Sequence, residues 1–244
     1  SRFFMRALSE NNKNFNIIEP FDGLFTQGMV CHETYKDKDN NWISPEEIET
    51  INGKKYLKKD NTKLVNVGPS ESMSKSKKNT IDPENIIINY GADAARLFIL
   101  SDSPPEKDVQ WSEEGIISAF KFIQKLWNLN LKILEEVKKN HQEDTNIELT
   151  KYTNQFLKKI TTNLENFGYN KIIANLYEMY SFVNKQVNQK YKKKTLLENY
   201  KKILIAISPV IPHFSNECLS VIGFENNSWP KYNEKIIQEE KIEI

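Results

Sequence analysis

The chain has 244 residues, with 34 Lys and Arg against 33 Asp and Glu, a formal net charge of +1. That balance excludes a global field that would attract nucleic acid, so any such partner must meet a local patch. Charged residues at 27% and aromatics at 11% exclude a disordered chain and suit one large or two smaller globular domains.

In chain order, residues 2–8 read as the end of an amphipathic helix, and a turn-rich approach at 20–27 leads to a strand near Gly28 to Val30. Residues 36–41 are polar and charged, a loop. A short helical turn capped at Ser44-Pro45 follows, then weak alternation over 50–63 around an Asn52-Gly53 hairpin turn. Leu64-Val65-Asn66-Val67 reads as a short strand. Asp82-Pro83-Glu84 reads as a helix start, with Asp82 as the cap and Pro83 in the first turn. Gly91 ends that helix, Ala92 to Leu100 forms the next, and Ser101 to Pro105 is a stiff connector.

Beyond the connector the period becomes helical and stays so. Ser112 caps a long helix whose apolar positions, from Ile116 to Val137, recur mostly at three- and four-residue spacing. Further stripes run from Tyr152 to Leu164, from Ile172 to Val187 and from Leu196 to Ile207, and a last helix runs from Pro212 to Gly223. Four or five antiparallel helices joined by short loops make a bundle. The predicted fold class is therefore α/β followed by all-α.

Between the strand and the capped helix lies Glu71-Ser72-Met73-Ser74-Lys75-Ser76-Lys77-Lys78-Asn79, with three lysines and three serines in nine residues. Ammonium groups, hydroxyls and free backbone N–H groups in a mobile loop suit a polyphosphate. A solvated basic turn explains the same composition. The excess of lysine over arginine (Arg2, Arg6 and Arg96 are the arginines) accompanies abundant Asn and Ile and reads as compositional bias. Cys31 and Cys218 lie far apart without metal-ligand spacing, and no metal site is expected. With no apolar run of spanning length and no leader, the expectation is a cytoplasmic protein with reduced thiols and no membrane partner.

Taken together these residues resemble the C-terminal half of a class I aminoacyl-tRNA synthetase, and more narrowly of the bacterial-type leucyl-tRNA synthetases. Ser72-Met73-Ser74-Lys75-Ser76 is similar to the second class I signature, K-M-S-K-S, and Lys77-Lys78-Asn79 and Ile81-Asp82-Pro83 continue in family style. Tyr90-Gly91-Ala92-Asp93 with Arg96, Asp108-Val109-Gln110-Trp111 with Gly115, and Pro209-Val210-Ile211-Pro212-His213 match later motifs in the right order. Gln27-Gly28-Met29-Val30, Tyr35, Trp42 and Pro45, followed by a long insertion before the signature, look leucyl. Isoleucyl, valyl and methionyl enzymes, the alternatives within the class, have a shorter link there.

The resemblance implies the second half of a Rossmann-like nucleotide-binding domain over 1–103, a tRNA-binding helical bundle over 104–225, and a linker over 226–244. It implies ATP with Mg²⁺, leucine and tRNA(Leu) as ligands. Lys75 would follow the β- and γ-phosphates, Ser74 and Ser76 would donate hydroxyls, and the Met73 backbone would face adenine. Ser72 stands where the signature has its first lysine, a loss that would weaken loop closure or be offset by Lys77 or Lys78.

Lys190, Lys192, Lys193 and Lys194, with Lys185, Lys201 and Lys202 nearby, form the densest basic run and would meet tRNA phosphates; a solvated surface is the alternative. Asp82 reads as a cap, Arg96 as an ion-pair partner of Asp93, Trp111 and Trp127 as packing, and His213 as a helix-start residue. The first signature, H-I-G-H, does not occur among the contexts of His32, His141 and His213. A fragment, or one subunit of a split enzyme with a complementary half, is the expectation. A non-catalytic tRNA-binding subunit is the rival.

Overall fold

The computed structural model describes residues 2–12, 14, 15, 17, 19–139, 141–144, 147–224 and 228–238. In chain order the elements are α1 (Arg2–Asn11), β1 (Val30–Lys36), β2 (Ile48–Ile51), β3 (Lys54–Leu57), β4 (Asp60–Leu64), β5 (Asn66–Ser72), α2 (Pro83–Tyr90), α3 (Ala92–Ser101), β6 (Val109–Gln110), α4 (Glu113–Lys139), α5 (Glu148–Glu165), α6 (Tyr169–Gln186), α7 (Lys193–Ile207), α8 (Pro212–Val221) and α9 (Glu234–Gln238). The class is the expected one, strands first and a helical bundle after. No helix among these residues is long and apolar enough to cross a membrane.

β1 is the middle strand of a three-stranded sheet, antiparallel to β5 and parallel to β6. The strand expected at Gly28 to Val30 begins only at Val30, because Gly28 and Met29 bond sideways to the connector. Gly28 N donates to Pro105 O at 2.8 Å, and Met29 N to Asp108 Oδ1 at 2.8 Å. A Cβ on Gly28 would lie 2.1 Å from Lys107 O, so the two backbones can approach only at a glycine.

The insertion between β1 and β5 folds as a meander, β2-β3-β4. Its first hairpin turns at Asn52 and Gly53, with φ of 49° and 77°, the pair of positive values that a two-residue hairpin turn requires. Ser44 and Glu47 form a capping box around the short turn Pro45–Glu47 that precedes it. Tyr35, Ile43 and Val65 make a small core beneath the meander. Lys55 from β3 reaches back to β1, where its ammonium bonds Glu33 and, at 2.7 Å, Tyr35 Oη. The Lys55 bond holds the Glu33 carboxyl below its ordinary range. The strand expected over 64–67 is divided. Leu64 ends β4, the buried Val65 turns the chain, and β5 starts at Asn66.

Asp82 caps α2, accepting from Glu84 N at 3.0 Å, and Gly91 at φ 83° ends α2 and starts α3. α4 has 27 residues and spans about 40 Å. Ser112 Oγ accepts from Gly115 N at 3.1 Å at its start, as the sequence suggests. Its stripe packs with α5, α6 and α7 around Ile133, Leu157, Ile160, Ile172, Leu176 and Leu204, each fully buried. Ala94, Leu97 and Phe98 of α3 belong to the same core, so it continues across the connector. Residues 228–238 lie along α5, where Asn233 N donates to Asn154 Oδ1 at 2.7 Å and Trp229 Nε1 to Thr161 Oγ1 at 3.0 Å. Burial pushes the Cys218 thiol up to about 12, which keeps it protonated and inert.

The expected Asp93–Arg96 ion pair does not form; both side chains instead serve the turn between α7 and α8. Asp93, 6% exposed, accepts from His213 N at 3.2 Å and Phe214 N at 2.6 Å, with His213 Nδ1 2.9 Å away. Arg96 donates through Nε to Val210 O at 3.1 Å and through a terminal nitrogen to Pro209 O at 2.7 Å. A carboxylate meets the N-terminal donors of α8 and a guanidinium meets carbonyls past the end of α7, the signs a helix dipole favours. Asp93→Ala is expected to cost roughly 1–2 kcal/mol, the worth of a good cap. Urea unfolding of the variant, with Arg96→Ala and the double variant alongside, should show less than additive losses because both residues serve one turn.

Candidate functional site

β5 delivers the basic loop. Ser72 is its last residue, paired with Cys31, and Met73 N extends the ladder by donating to Val30 O at 3.1 Å. Ser72 therefore belongs to the strand end, not to the loop as expected, and its side chain is exposed. Beyond it, Ser74 Oγ lies 3.3 Å from Ser76 Oγ and accepts from Lys77 N at 3.4 Å. Lys78 N donates to Lys75 O at 3.3 Å, and Lys78 takes the left-handed conformation at φ 52°.

The three lysines are not equivalent. Lys77 forms an ion pair with Glu71. Glu71 and Ser72 are successive strand residues and face opposite sides of β5, so Lys77 lies away from the position where the signature's first lysine would be. Lys75 and Lys78 are exposed, and among the described residues the Lys75 ammonium has no hydrogen-bond or ion-pair partner. Asn79, fully buried, holds the base of the loop. Its Oδ1 accepts from Ser74 N at 2.8 Å, and its Nδ2 faces Glu71 O at 3.2 Å, His32 O at 3.3 Å and Ser72 O at 3.5 Å. His32 beside it is buried with Nδ1 unpartnered among the described residues. Burial lowers its pKa and favours the neutral ring.

Motifs far apart in sequence meet behind this loop. Val30 pairs with Val109, and Trp111 N donates to Cys31 O at 2.8 Å, so the residues 27–30 and 108–111 form one seam. Trp111 packs edge-on to Phe98 at 5.3 Å against the core, a packing role as expected, whereas Trp127 meets Phe214 edge-on at 6.0 Å but stays exposed.

The second candidate, Lys190, Lys192, Lys193 and Lys194, lies at the turn between α6 and α7 with all four side chains exposed. Lys192, Lys193 and Lys194 line a cavity of about 540 Å³ with His141, Leu197 and Phe224. Asp144 enters the first turn of α7, accepting from Lys192 N at 2.6 Å and Thr195 Oγ1 at 2.9 Å. Lys201 lies over the Phe224 ring at 4.1 Å. From sequence, Asn79 and Glu71 are named only as members of the signature segment, without a role of their own, and Asp144 is not named. Asn79 follows two lysines in a polar stretch without periodicity, and only its burial sets it apart.

The description "tRNA synthetases class I (I, L, M and V)" belongs to the family model that matches residues 60–112, and "Anticodon-binding domain of tRNA ligase" to the one that matches 146–244. Leucine–tRNA ligases of Bartonella tribocorum and Orientia tsutsugamushi are each 41% identical, over 98% and 99% of this chain. That of Rickettsia massiliae is 37% identical over 98%. Among solved structures, LeuRS of Agrobacterium radiobacter K84 in its ternary complex with tRNA and LeuAMS superposes with a TM-score of 0.69 over 98% of this chain and 28% of that one, at 20% identity. Methionyl-tRNA synthetase of Mycobacterium tuberculosis covers 63% of this chain and 36% of its own, with a TM-score of 0.52 at 21% identity. The chain belongs to the class I aminoacyl-tRNA synthetases. Its relatives place it in the leucyl branch, and it spans 29% of the length of the three leucine–tRNA ligases named here.

Because Ser72 is exposed at a strand end, Ser72→Lys is expected to change stability by less than about 0.5 kcal/mol, the range of ordinary surface substitutions. Thermal melting of both forms measures it, and a larger loss would show that the strand end depends on the serine.

Proposed function

We propose that this chain supplies the signature-loop side of the ATP site and the tRNA-binding bundle of a cytoplasmic leucine–tRNA ligase. The observation that carries the reading is the exposed Lys75 ammonium, without a hydrogen-bond or ion-pair partner among the described residues and flanked by Ser74 and Ser76, on a loop whose base is buried. The identity of 37–41% to leucine–tRNA ligases over nearly the whole chain supports leucine as the amino acid. The remainder of the catalytic domain, in the same chain or in a complementary subunit, would complete the ATP and leucine pockets.

In this reading the leucine carboxylate attacks the α-phosphorus of ATP and pyrophosphate departs, leaving leucyl-adenylate; a hydroxyl at the 3′ end of tRNA(Leu) then attacks the leucyl carbonyl, the anhydride bond breaks and AMP leaves. Negative charge grows on the departing phosphates, and a positioned ammonium stabilises that change more than it stabilises bound ATP. Lys75 takes that role, the Ser74 and Ser76 hydroxyls add donors, the Met73 backbone borders adenine, and Ser72 closes the strand beside it. Mg²⁺ accompanies the ATP phosphates. The loop's donors fit phosphate oxygens rather than the cation, since Glu71, the one carboxylate of residues 71–79, is engaged by Lys77.

In the full-length protein, Lys75→Ala is expected to slow leucine-dependent ATP–pyrophosphate exchange by about 10²–10³-fold, mainly in kcat, by analogy with loss of one preorganised donor. Near-normal kcat would remove Lys75 from the mechanism.

The bundle binds tRNA phosphates through the turn that carries Lys190, Lys192, Lys193 and Lys194. Because Asp144 already occupies the first turn of α7, the ammonium groups rather than the helix N-terminus carry the attraction. Each neutralised phosphate contributes roughly 0.7–0.9 to the slope of log K against log salt. Replacing Lys192, Lys193 and Lys194 together by Ala should flatten that slope while circular dichroism stays unchanged. Coincident slopes would assign the tRNA contact elsewhere.

A further inference from the structure

We infer that Asn79 is the positioning residue of the signature loop, the side chain that fixes where the Lys75 ammonium and the serine hydroxyls are presented. The inference rests on the reading of this loop as the phosphate-binding element. Asn79 does not reach solvent at all, although it lies in a run of lysines and serines. Its amide joins three parts of the molecule, the His32 carbonyl of β1, the Glu71 and Ser72 carbonyls at the end of β5, and the Ser74 amide inside the loop. A planar carboxamide presents an acceptor on one corner and two hydrogens on the other. Those two hydrogens serve three carbonyls, with the Ser72 contact, at 3.5 Å, the longest. No other side chain of this length offers that combination. An aspartate would keep the acceptor for Ser74 but turn a second oxygen toward three carbonyls.

The consequence is geometric. Ser74 is the residue before Lys75, and its backbone direction is fixed by the Asn79 bond. Ser74 Oγ in turn accepts from Lys77 N, so the turn over 74–78 is built outward from that one amide. Lys77 is drawn to Glu71 at the strand end, which leaves Lys75 as the lysine next to the anchored amide whose ammonium is unpartnered among the described residues. Removing Asn79 leaves the Ser74 N–H and the strand-end carbonyls without this buried partner, and the loop is free to drift from β5. Displacement of a charge-stabilising group by about 1 Å lowers a rate by around 10²-fold without altering the chemistry of the group itself.

The test uses the full-length protein carrying this chain, as wild type, Asn79→Ala, Asn79→Asp and Lys75→Ala. Three properties are measured: backbone amide hydrogen exchange over residues 73–78, leucine-dependent ATP–pyrophosphate exchange per active site, and tRNA affinity. Both Asn79 variants are expected to lose activation by about 10²-fold, with tRNA affinity within twofold of wild type. Asn79→Ala should also speed exchange of the Ser74 amide while the rest of the protein keeps its protection. A merely structural role would lower tRNA affinity and global protection together with activation, and that pattern overturns the inference. So does an unchanged Ser74 amide or wild-type activation in Asn79→Ala while Lys75→Ala is impaired. If wild type itself catalyses no leucine-dependent exchange, the functional reading falls, and the exchange rate of the Ser74 amide still decides whether Asn79 holds the loop.

Discussion

The turn between α7 and α8 is clamped by two side chains of one helix, and that helix also carries Ala94, Leu97 and Phe98 into the core of the bundle. Asp93 and Arg96 are three residues apart on α3, near enough to pair with each other. They do not, because the turn offers each a better partner. The N–H groups of His213 and Phe214 have no intrahelical acceptor at the start of α8, and the carbonyls of Pro209 and Val210 have no helical donor. A carboxylate and a guanidinium satisfy both sets at once. Because α3 follows α2 through Gly91 alone, and α2 follows the signature loop, the clamp also limits where that loop can stand relative to the bundle.

Much of this arrangement was legible because local chemistry specified it. Asp82-Pro83, Ser112, Asn52-Gly53 and Ser44-Pro45 each determine a cap or turn within a few residues, and the structure has each one. The helical stripes were legible for a related reason. A buried face repeated over 15 or more residues leaves a period that no short polar segment can imitate. The order of the signature, the Y-G-A-D-x-x-R helix and the P-x-x-P-H turn gave the family. What order alone did not give is that the second of these motifs exists in space to hold the third.

The unread features share a physical cause. Asn79, Glu71 and Asp144 act through partners that are distant in sequence or hidden by composition, and a polar residue among polar residues carries no periodic mark. Asp144 reaches 48 residues along the chain to the Lys192 amide. The start of β1 was misplaced because Gly28 and Met29 have strand-like sequence but spend their donors on Pro105 and Asp108. The expected Asp93–Arg96 pair is the same error in reverse. Helix spacing made a local pair available, and a buried turn with unmet donors and acceptors outcompeted it.

Charge placement within residues 71–79 bears on the serine that stands where the signature has its first lysine. Glu71 compensates Lys77, the Glu47 carboxylate lies within electrostatic reach of Lys78, and the Lys75 ammonium has no ion-pair partner among the described residues. A further ammonium at the exposed position 72 would add repulsion at close range, with only solvent to screen it. The serine avoids that repulsion and leaves the β5 ladder intact through Met73 N. In the proposed reading the electrostatic role falls on Lys75, the lysine next to the amide that Asn79 ties to the sheet. A loop of this kind depends less on the number of its cations than on how well one of them is held.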